Sequence, residues 1–245
     1  MDAQAYSLAA ESEDEHWWYR GRRAILRSVL DRYAPPVNPP RTILEVGCGN
    51  GGNLPLLAAY GRLHAVEMDD ATRVRASSRN LARVEKGWLP DGLPFGDRRF
   101  DLIAALDVLE HVDDDRAAVK ALHDRLMPGG MLIVTVPAYA WLWGWRDEFS
   151  KHKRRYARPL LVAQLAEAGL DVTYSSYFNT LLFPVAVAYG KFEEFLFSSA
   201  YQALSVPPAP LNRALAAIFE LERLFIPRVA FPYGLSILLC ARRRS

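Results

Sequence analysis

The segment Arg41-Thr42-Ile43-Leu44-Glu45-Val46-Gly47-Cys48-Gly49-Asn50-Gly51 limits the fold more than any other part of the chain. Its apolar run is short and partly β-branched, as in a strand buried on both faces, and a glycine turn follows with no linker between. Backbone without Cβ atoms can approach a ligand closely at such a sheet edge. The run carries one carboxylate, Glu45, just before the turn. Gly47 to Gly52 also fits the pattern G-x-G-x-x-G.

A chain of 245 residues, 51% hydrophobic, can bury a large core around that turn. Lys and Arg number 30 against 28 Asp and Glu, so no global field favours nucleic acid. The basic clusters Arg20–Arg23, Lys151–Arg155 and Arg242–Arg244 read as solvated faces or phosphate contacts. Cys48 and Cys240 stand outside any CxxC or metal-spaced pattern, which fits a reducing cytoplasm and gives no reason to expect a metal. Met1 to Glu15 is acidic and polar, unlike a signal peptide. The longest apolar stretch, Phe178 to Tyr189, is too short and interrupted to span a bilayer. A cytoplasmic protein is expected.

The remaining pattern alternates strand and helix. Glu15–Tyr33 reads as a helix ended by Pro35, Pro36, Pro39 and Pro40. Strands are expected at Thr42–Val46, Leu63–Met68, Phe100–Leu106 and Met131–Pro137, with helices at Asn53–Tyr60, Ala71–Leu81 and Asp115–Leu126 between them. Such alternation implies a mostly parallel sheet covered on both faces. Arg158–Ala168 reads as a helix, Leu170–Phe178 and Ser236–Ala241 as late strands. The apolar stretch joining these strands reads as an insertion between neighbours of one sheet. The whole chain, 1–245, is therefore one domain: a helical segment over 1–40, a cofactor-binding core over 41–179, an apolar helical insertion over 180–232, and a last strand with a basic tail over 233–245.

Two nucleoside cofactors suit the glycine turn, a dinucleotide and S-adenosyl-L-methionine. Glu67 lies twenty residues after Gly47, at the end of the second strand, where a carboxylate accepts from ribose hydroxyls. Either cofactor has that ribose. Glu45 discriminates, because a carboxylate there would crowd a pyrophosphate but favour a sulfonium and an ammonium. Asp107-Val108-Leu109-Glu110-His111 follows the Phe100–Leu106 strand at the carboxyl edge where open α/β sheets bind ligands. Met127-Pro128-Gly129-Gly130 then turns into the next strand.

With Leu93-Pro94-Phe95 and Phe100-Asp101-Leu102-Ile103 between them, these segments resemble, in order and spacing over residues 41–137, the class I S-adenosylmethionine-dependent methyltransferases of the type 11 group. The resemblance implies a Rossmann-like three-layer α/β/α sandwich with a seven-stranded, mostly parallel sheet whose last strand is antiparallel. It also implies roles. Gly47, Cys48, Gly49 and Asn53 would line the cofactor's methionine and ribose portions. Glu45 would hold its amino group and Glu67 its ribose. Adenine would lie between Met68 and the loop holding Trp88 and Leu89, and Asp107 and Val108 would form the floor beside the sulfonium. Where many members of the family set an aspartate against adenine, this chain has Trp88 and Leu89, so backbone and stacking must serve instead.

Methyl transfer needs alignment and exclusion of water more than a catalytic triad. The candidate bases for an acceptor that must lose a proton are His111, His152 and Tyr156. The cations around His152 would suit an anionic group on the acceptor. His16-Trp17-Trp18-Tyr19 precedes the first strand, and in the family this segment often folds over the cofactor as a lid. Adjacent tryptophans on a helix cannot share a face, so one must reach a neighbouring element or a ligand. The insertion over 180–232 carries Phe183, Tyr189, Phe192, Phe195, Phe197 and Tyr201, then Leu215, Ile218, Phe219, Leu221 and Leu224. It would cover the acceptor site, form a homodimer contact or touch a membrane surface peripherally. The reading that follows is methyl transfer from S-adenosyl-L-methionine to a small-molecule acceptor, apolar or lipid-linked. The competing readings are an NAD-dependent oxidoreductase and a non-catalytic cofactor-binding partner protein.

Overall fold

The structure, a computed structural model, describes residues 13–188 and 206–244. Tyr189, Phe192, Phe195, Phe197 and Tyr201 lie outside the described residues. Helix α1 (Trp17–Tyr33) leads to β1 (Arg41–Val46), α2 (Leu54–Ala58), β2 (Gly61–Glu67), α3 (Asp70–Ser78), β3 (Arg83–Lys86) and β4 (Phe100–Leu106). Then come α4 (Asp115–Arg125), β5 (Leu126–Pro137), α5 (Trp145–Ser150), α6 (Arg158–Glu167), β6 (Leu170–Phe178), α7 (Ala209–Glu220) and β7 (Ser236–Arg243). Side-chain caps mark the helix starts. Asp69 accepts from the Thr72 amide at 2.8 Å and Asp114 from the Ala117 amide at 2.9 Å.

The strands form a seven-stranded sheet in the order β3-β2-β1-β4-β5-β7-β6. β1 to β5 pair in parallel, and β7 runs antiparallel to both neighbours, as expected for the last strand. Alternate residues feed opposite faces. Ile43, Leu102, Ile133 and Leu238 meet α1 and α2 on one side, while Leu44, Ile103, Val134 and Leu239 meet α4 and α6 on the other. Both faces are covered, which is why these strands read as continuous apolar runs.

Two elements differ from the expectation. Strand β3 was not foreseen: Arg83-Val84-Glu85-Lys86 has the charged pattern of an edge strand and is held by its parallel pairing with β2. Strand β5 starts at Leu126 rather than Met131, because a register shift between Phe100 and Leu102 lets it absorb the Pro128-Gly129-Gly130 turn.

The insertion between β6 and β7 supplies α7, which lies along α1. Phe219 is fully buried there, stacked 6.2 Å from Phe178 and edge-on to Trp17 at 5.9 Å. Gly21 permits this approach, since a Cβ there would overlap the Phe219 ring. The Glu222 carboxylate, fully buried, accepts from the amides of Asn179 (2.8 Å), Thr180 (2.6 Å) and Leu181 (2.8 Å), and so ties the insertion to the end of β6. No helix among the described residues is long and apolar enough to cross a membrane. Gly21→Val is expected to push α1 off α7 and cost about 1–3 kcal/mol, measured as a shift of the urea unfolding midpoint. A variant as stable as the parent would show that the two helices do not depend on close contact.

Candidate functional site

The carboxyl ends of β1, β2 and β4 converge where the glycine turn leaves the sheet. The Gly47 and Cys48 amides both donate to the Val66 carbonyl, at 2.9 and 3.1 Å, holding the turn against the end of β2. Gly47 has φ +66°, and a Cβ there would stand 2.7 Å from Val108, so the turn and the segment after β4 touch at this point. At Gly49, φ +55°, the Cβ direction meets no atom of the described residues within 4 Å, and that face of the turn has room for a ligand. Cys48 is buried beneath, and burial pushes its thiol well up from the ordinary range.

Beside the turn lies a buried polar chain. Glu45 is 1% exposed; Oε1 accepts from Asn53 Nδ2 at 3.0 Å, and Oε2 has no partner among the described residues. Asn53 Oδ1 accepts from Arg22 Nη2 at 3.3 Å, and Arg22 Nη1 donates to Asp107 Oδ2. Asp107 Oδ1 accepts from Thr135 Oγ1 at 3.1 Å. Burial pushes the Glu45 carboxyl up to about 8, despite the Asn53 bond and the nearby Arg22 charge. Arg22 lies against the rings of Trp18 and Tyr19: its guanidinium sits 4.7 Å from the former and 5.8 Å from the latter, while Trp17 points the other way onto Phe219. Arg22 was not anticipated from sequence, though the impossibility of both tryptophans sharing a face was the signal that could have found it.

Glu67 closes the other side of this edge. Its Oε2 accepts from the Gly49 amide at 2.9 Å, and Oε1 from the amides of Met68 (2.9 Å) and Asp69 (3.0 Å). Met68 and Trp88 are exposed, 64% and 50%, while Leu89 points into the core. The Trp88 ring also covers Gly92, whose amide and carbonyl bond back to Trp88.

On the far side, His111 and His152 meet edge-to-face with ring centroids 4.8 Å apart. Burial, then the neighbouring His152, lowers the His111 pKa to about 4. Tyr156 does not join them as a free base. It is buried, its hydroxyl donates to Asp115 Oδ2 at 2.9 Å, and burial raises its pKa far above the usual phenol range. Three cations of this loop are paired: Arg155 with Asp147, Arg154 with Asp115 at 3.0 Å, Lys153 with Asp113. An aromatic group stands next to the end of β5, where Tyr139 stacks on Tyr177 at 5.2 Å and Phe183 meets Tyr139, Trp141 and Tyr233. Asp107 and Tyr139, just past β4 and β5, hold φ values of +58° and +59°, a conformation that costs a non-glycine residue about 1 kcal/mol or more.

The raised Glu45 pKa has a consequence for stability. The folded protein keeps a proton that the unfolded chain releases above pH 4.5, so stability should fall as pH rises from 4.5 towards 8, by on the order of 1 kcal/mol per unit. Urea unfolding across that range should show a shallower slope in Glu45→Gln. Equal slopes in both proteins would mean that Glu45 titrates normally.

The strand order separates the two cofactor readings, since the dinucleotide fold runs 3-2-1-4-5-6 without an antiparallel strand wedged at its edge. Comparison with known proteins agrees. A methyltransferase-domain family profile matches residues 17–175. A probable S-adenosylmethionine-dependent methyltransferase of Mycobacterium tuberculosis is 29% identical over 171 residues, covering 67% of this chain and 60% of that protein. The ubiquinone biosynthesis O-methyltransferase of Pseudomonas paraeruginosa is 28% identical over 113 residues, 39% of this chain and 44% of that one. The chain thus spans about half the length of the curated relatives it matches. In structure it is similar to the Haloferax volcanii protein solved in complex with the Trm112 methyltransferase activator, with a TM-score of 0.64, 16% identity and 98% of each chain covered. By its profile match over most of its length, and with the fold and strand order to suit, the chain belongs to the methyltransferase-domain family.

Proposed function

We propose that this protein transfers a methyl group from S-adenosyl-L-methionine to a small-molecule acceptor. The observation that carries the reading is the pairing of an open glycine turn with a buried carboxylate, Glu45, that still has an unpartnered oxygen. An ammonium or sulfonium there would favour the ionised form of this carboxyl and answer the missing partner, which a pyrophosphate cannot do. Arg22 supplies the complementary charge: it already holds Asp107 and Asn53 and can take the carboxylate of an amino-acid moiety between them. Glu67 retains acceptor capacity for ribose hydroxyls while fixing the Gly49 amide. Met68 and the exposed ring of Trp88 offer apolar faces for adenine.

When bound, the cofactor supplies a methyl carbon already activated by positive sulfur. The chain's task is to orient the acceptor and keep water away. Val108, packed on Gly47, and Asp107, held by Arg22 and Thr135, form a rigid floor at that point. His111 and His152 face the acceptor side, where either can accept a proton. An apolar cleft of about 490 Å³ lined by Phe183, Pro184, Val187, Ala188 and Tyr233 adjoins the aromatic group after β5 and suits an apolar acceptor.

Calorimetry with S-adenosylhomocysteine and with NADH tests this reading. Binding of the former and not the latter is expected, and the reverse preference would overturn it. Glu67→Ala should weaken S-adenosylhomocysteine binding by roughly 1–3 kcal/mol if the carboxylate takes the ribose, and Arg22→Ala should weaken it by at least as much through the lost charged contact. Wild-type affinity in both variants would remove these residues from the cofactor site. Binding without methyl transfer to any of a panel of apolar hydroxyl and amine acceptors would point to a partner protein instead.

A further inference from the structure

Glu110 has no role in the chemistry described so far, yet its placement is costly. It is fully buried, and among the described residues its carboxylate finds no hydrogen-bond partner beyond its own backbone amide. A carboxyl group left in that state forfeits its hydration without return unless a proton or a cation answers it. One of its oxygens and one ring nitrogen each of His111 and His152 lie within 4.8 Å of one another.

The histidines are prepared on their outer sides. His152 Nδ1 is bonded to Asp147 Oδ1 at 2.8 Å, and the His111 ring bonds to the Lys151 carbonyl. Asp147, itself fully buried, is clamped by Arg155 Nε at 2.8 and 2.9 Å and by the Gly144 amide at 3.0 Å. The backbone joins the two segments directly, since the Lys153 amide donates to the Glu110 carbonyl at 2.8 Å. A carboxylate or carbonyl behind each imidazole, fixing its ring and tautomer, is the arrangement found around metal-bound histidines.

We propose that Glu110, His111 and His152 bind a divalent transition-metal ion through one carboxylate oxygen and two imidazole nitrogens. Ligand atoms sharing an ion at bond lengths of about 2.1 Å stand roughly 3–3.5 Å apart, so side-chain rotations on the order of an ångström would close the site. Two imidazoles with a carboxylate favour Zn²⁺, Mn²⁺, Fe²⁺ or Co²⁺ over Mg²⁺ and Ca²⁺. Three protein ligands leave positions open. Resting on the methyl-transfer reading, such a position would take an oxygen of the acceptor, whose hydroxyl proton would then leave to water more readily.

The test uses the full chain stripped of metal and titrated with MnCl₂ or ZnCl₂ alone, followed by calorimetry and, for Mn²⁺, electron paramagnetic resonance. Saturable binding of a single ion and a raised Tm are expected. His111→Ala and His152→Ala should each weaken it more than tenfold. Asp147→Asn, which leaves all three ligands in place but removes the charge behind His152 and opposite Arg155, should weaken it about 10–100-fold. Circular dichroism and S-adenosylhomocysteine titration report separately on folding and on the cofactor site. No bound ion in the wild type, or unchanged affinity in a folded His152→Ala variant, would overturn the metal site. S-adenosylhomocysteine binding retained in that case would leave the cofactor reading standing.

Discussion

Glu45 and Asp107 end up at one edge of the sheet because their strands are parallel neighbours, Glu45 buried and Asp107 partly so, and a cation between them lowers the cost of both. Arg22 provides it from outside the sheet, reaching Asp107 directly and Glu45 through Asn53. A buried ion pair contributes little net stability, because desolvation offsets most of the attraction, but breaking one by removing a partner is costly. The consequence is positional. Helix α1 cannot sit anywhere else without stranding these carboxylates, and α1 is in turn seated by α7 through Gly21 and Phe219. The last third of the chain thereby sets where an N-terminal arginine meets the cofactor edge.

The same edge carries the backbone strain. Asp107 and Tyr139 follow β4 and β5, adjacent parallel strands, and each takes a left-handed conformation on leaving the sheet. Asp107 is held by its amide bond to Thr135 and its side-chain bonds to Thr135 and Arg22. Tyr139 is held by its amide bond to the Tyr156 carbonyl and by stacking on Tyr177. Strain of this kind persists only where surrounding contacts over-determine it, and it collects at ligand sites. One strained residue stands by the cofactor floor, the other by the aromatic acceptor side.

Much of the core was legible because burial on both faces writes itself into sequence as an unbroken apolar run. β1, β4 and β7 fall where Ile43, Leu102 and Leu238 place them. β3 escaped notice because an edge strand needs no apolar pattern. The glycine turn and the Asp107–His111 segment were readable for a similar reason: their constraints are local. Arg22 was not, since its meaning lies in a partner 85 residues away. Nor was the part played by Glu110, which lies in the middle of a recognised motif but whose lack of partners only the packed structure reveals. The cations at 151–155 misled in the opposite direction: as a run they suggest an anion site, yet Asp113, Asp115 and Asp147 answer Lys153, Arg154 and Arg155 in turn.

The two sides of the site are thus built by different means. The cofactor side is assembled from strand ends and the turns that follow them, so its geometry is dictated by the sheet. The acceptor side is closed by a long-range clasp, in which Asp147 organises Arg155 and His152 and the 151–153 backbone docks on Glu110. Nothing in the sheet demands that clasp. Its cost is a buried Glu110 carboxyl that, among the described residues, no other residue partners, and the proposed metal ion would answer it. The sheet fixes the edge at the glycine turn, and the clasp fixes the two histidines beside it.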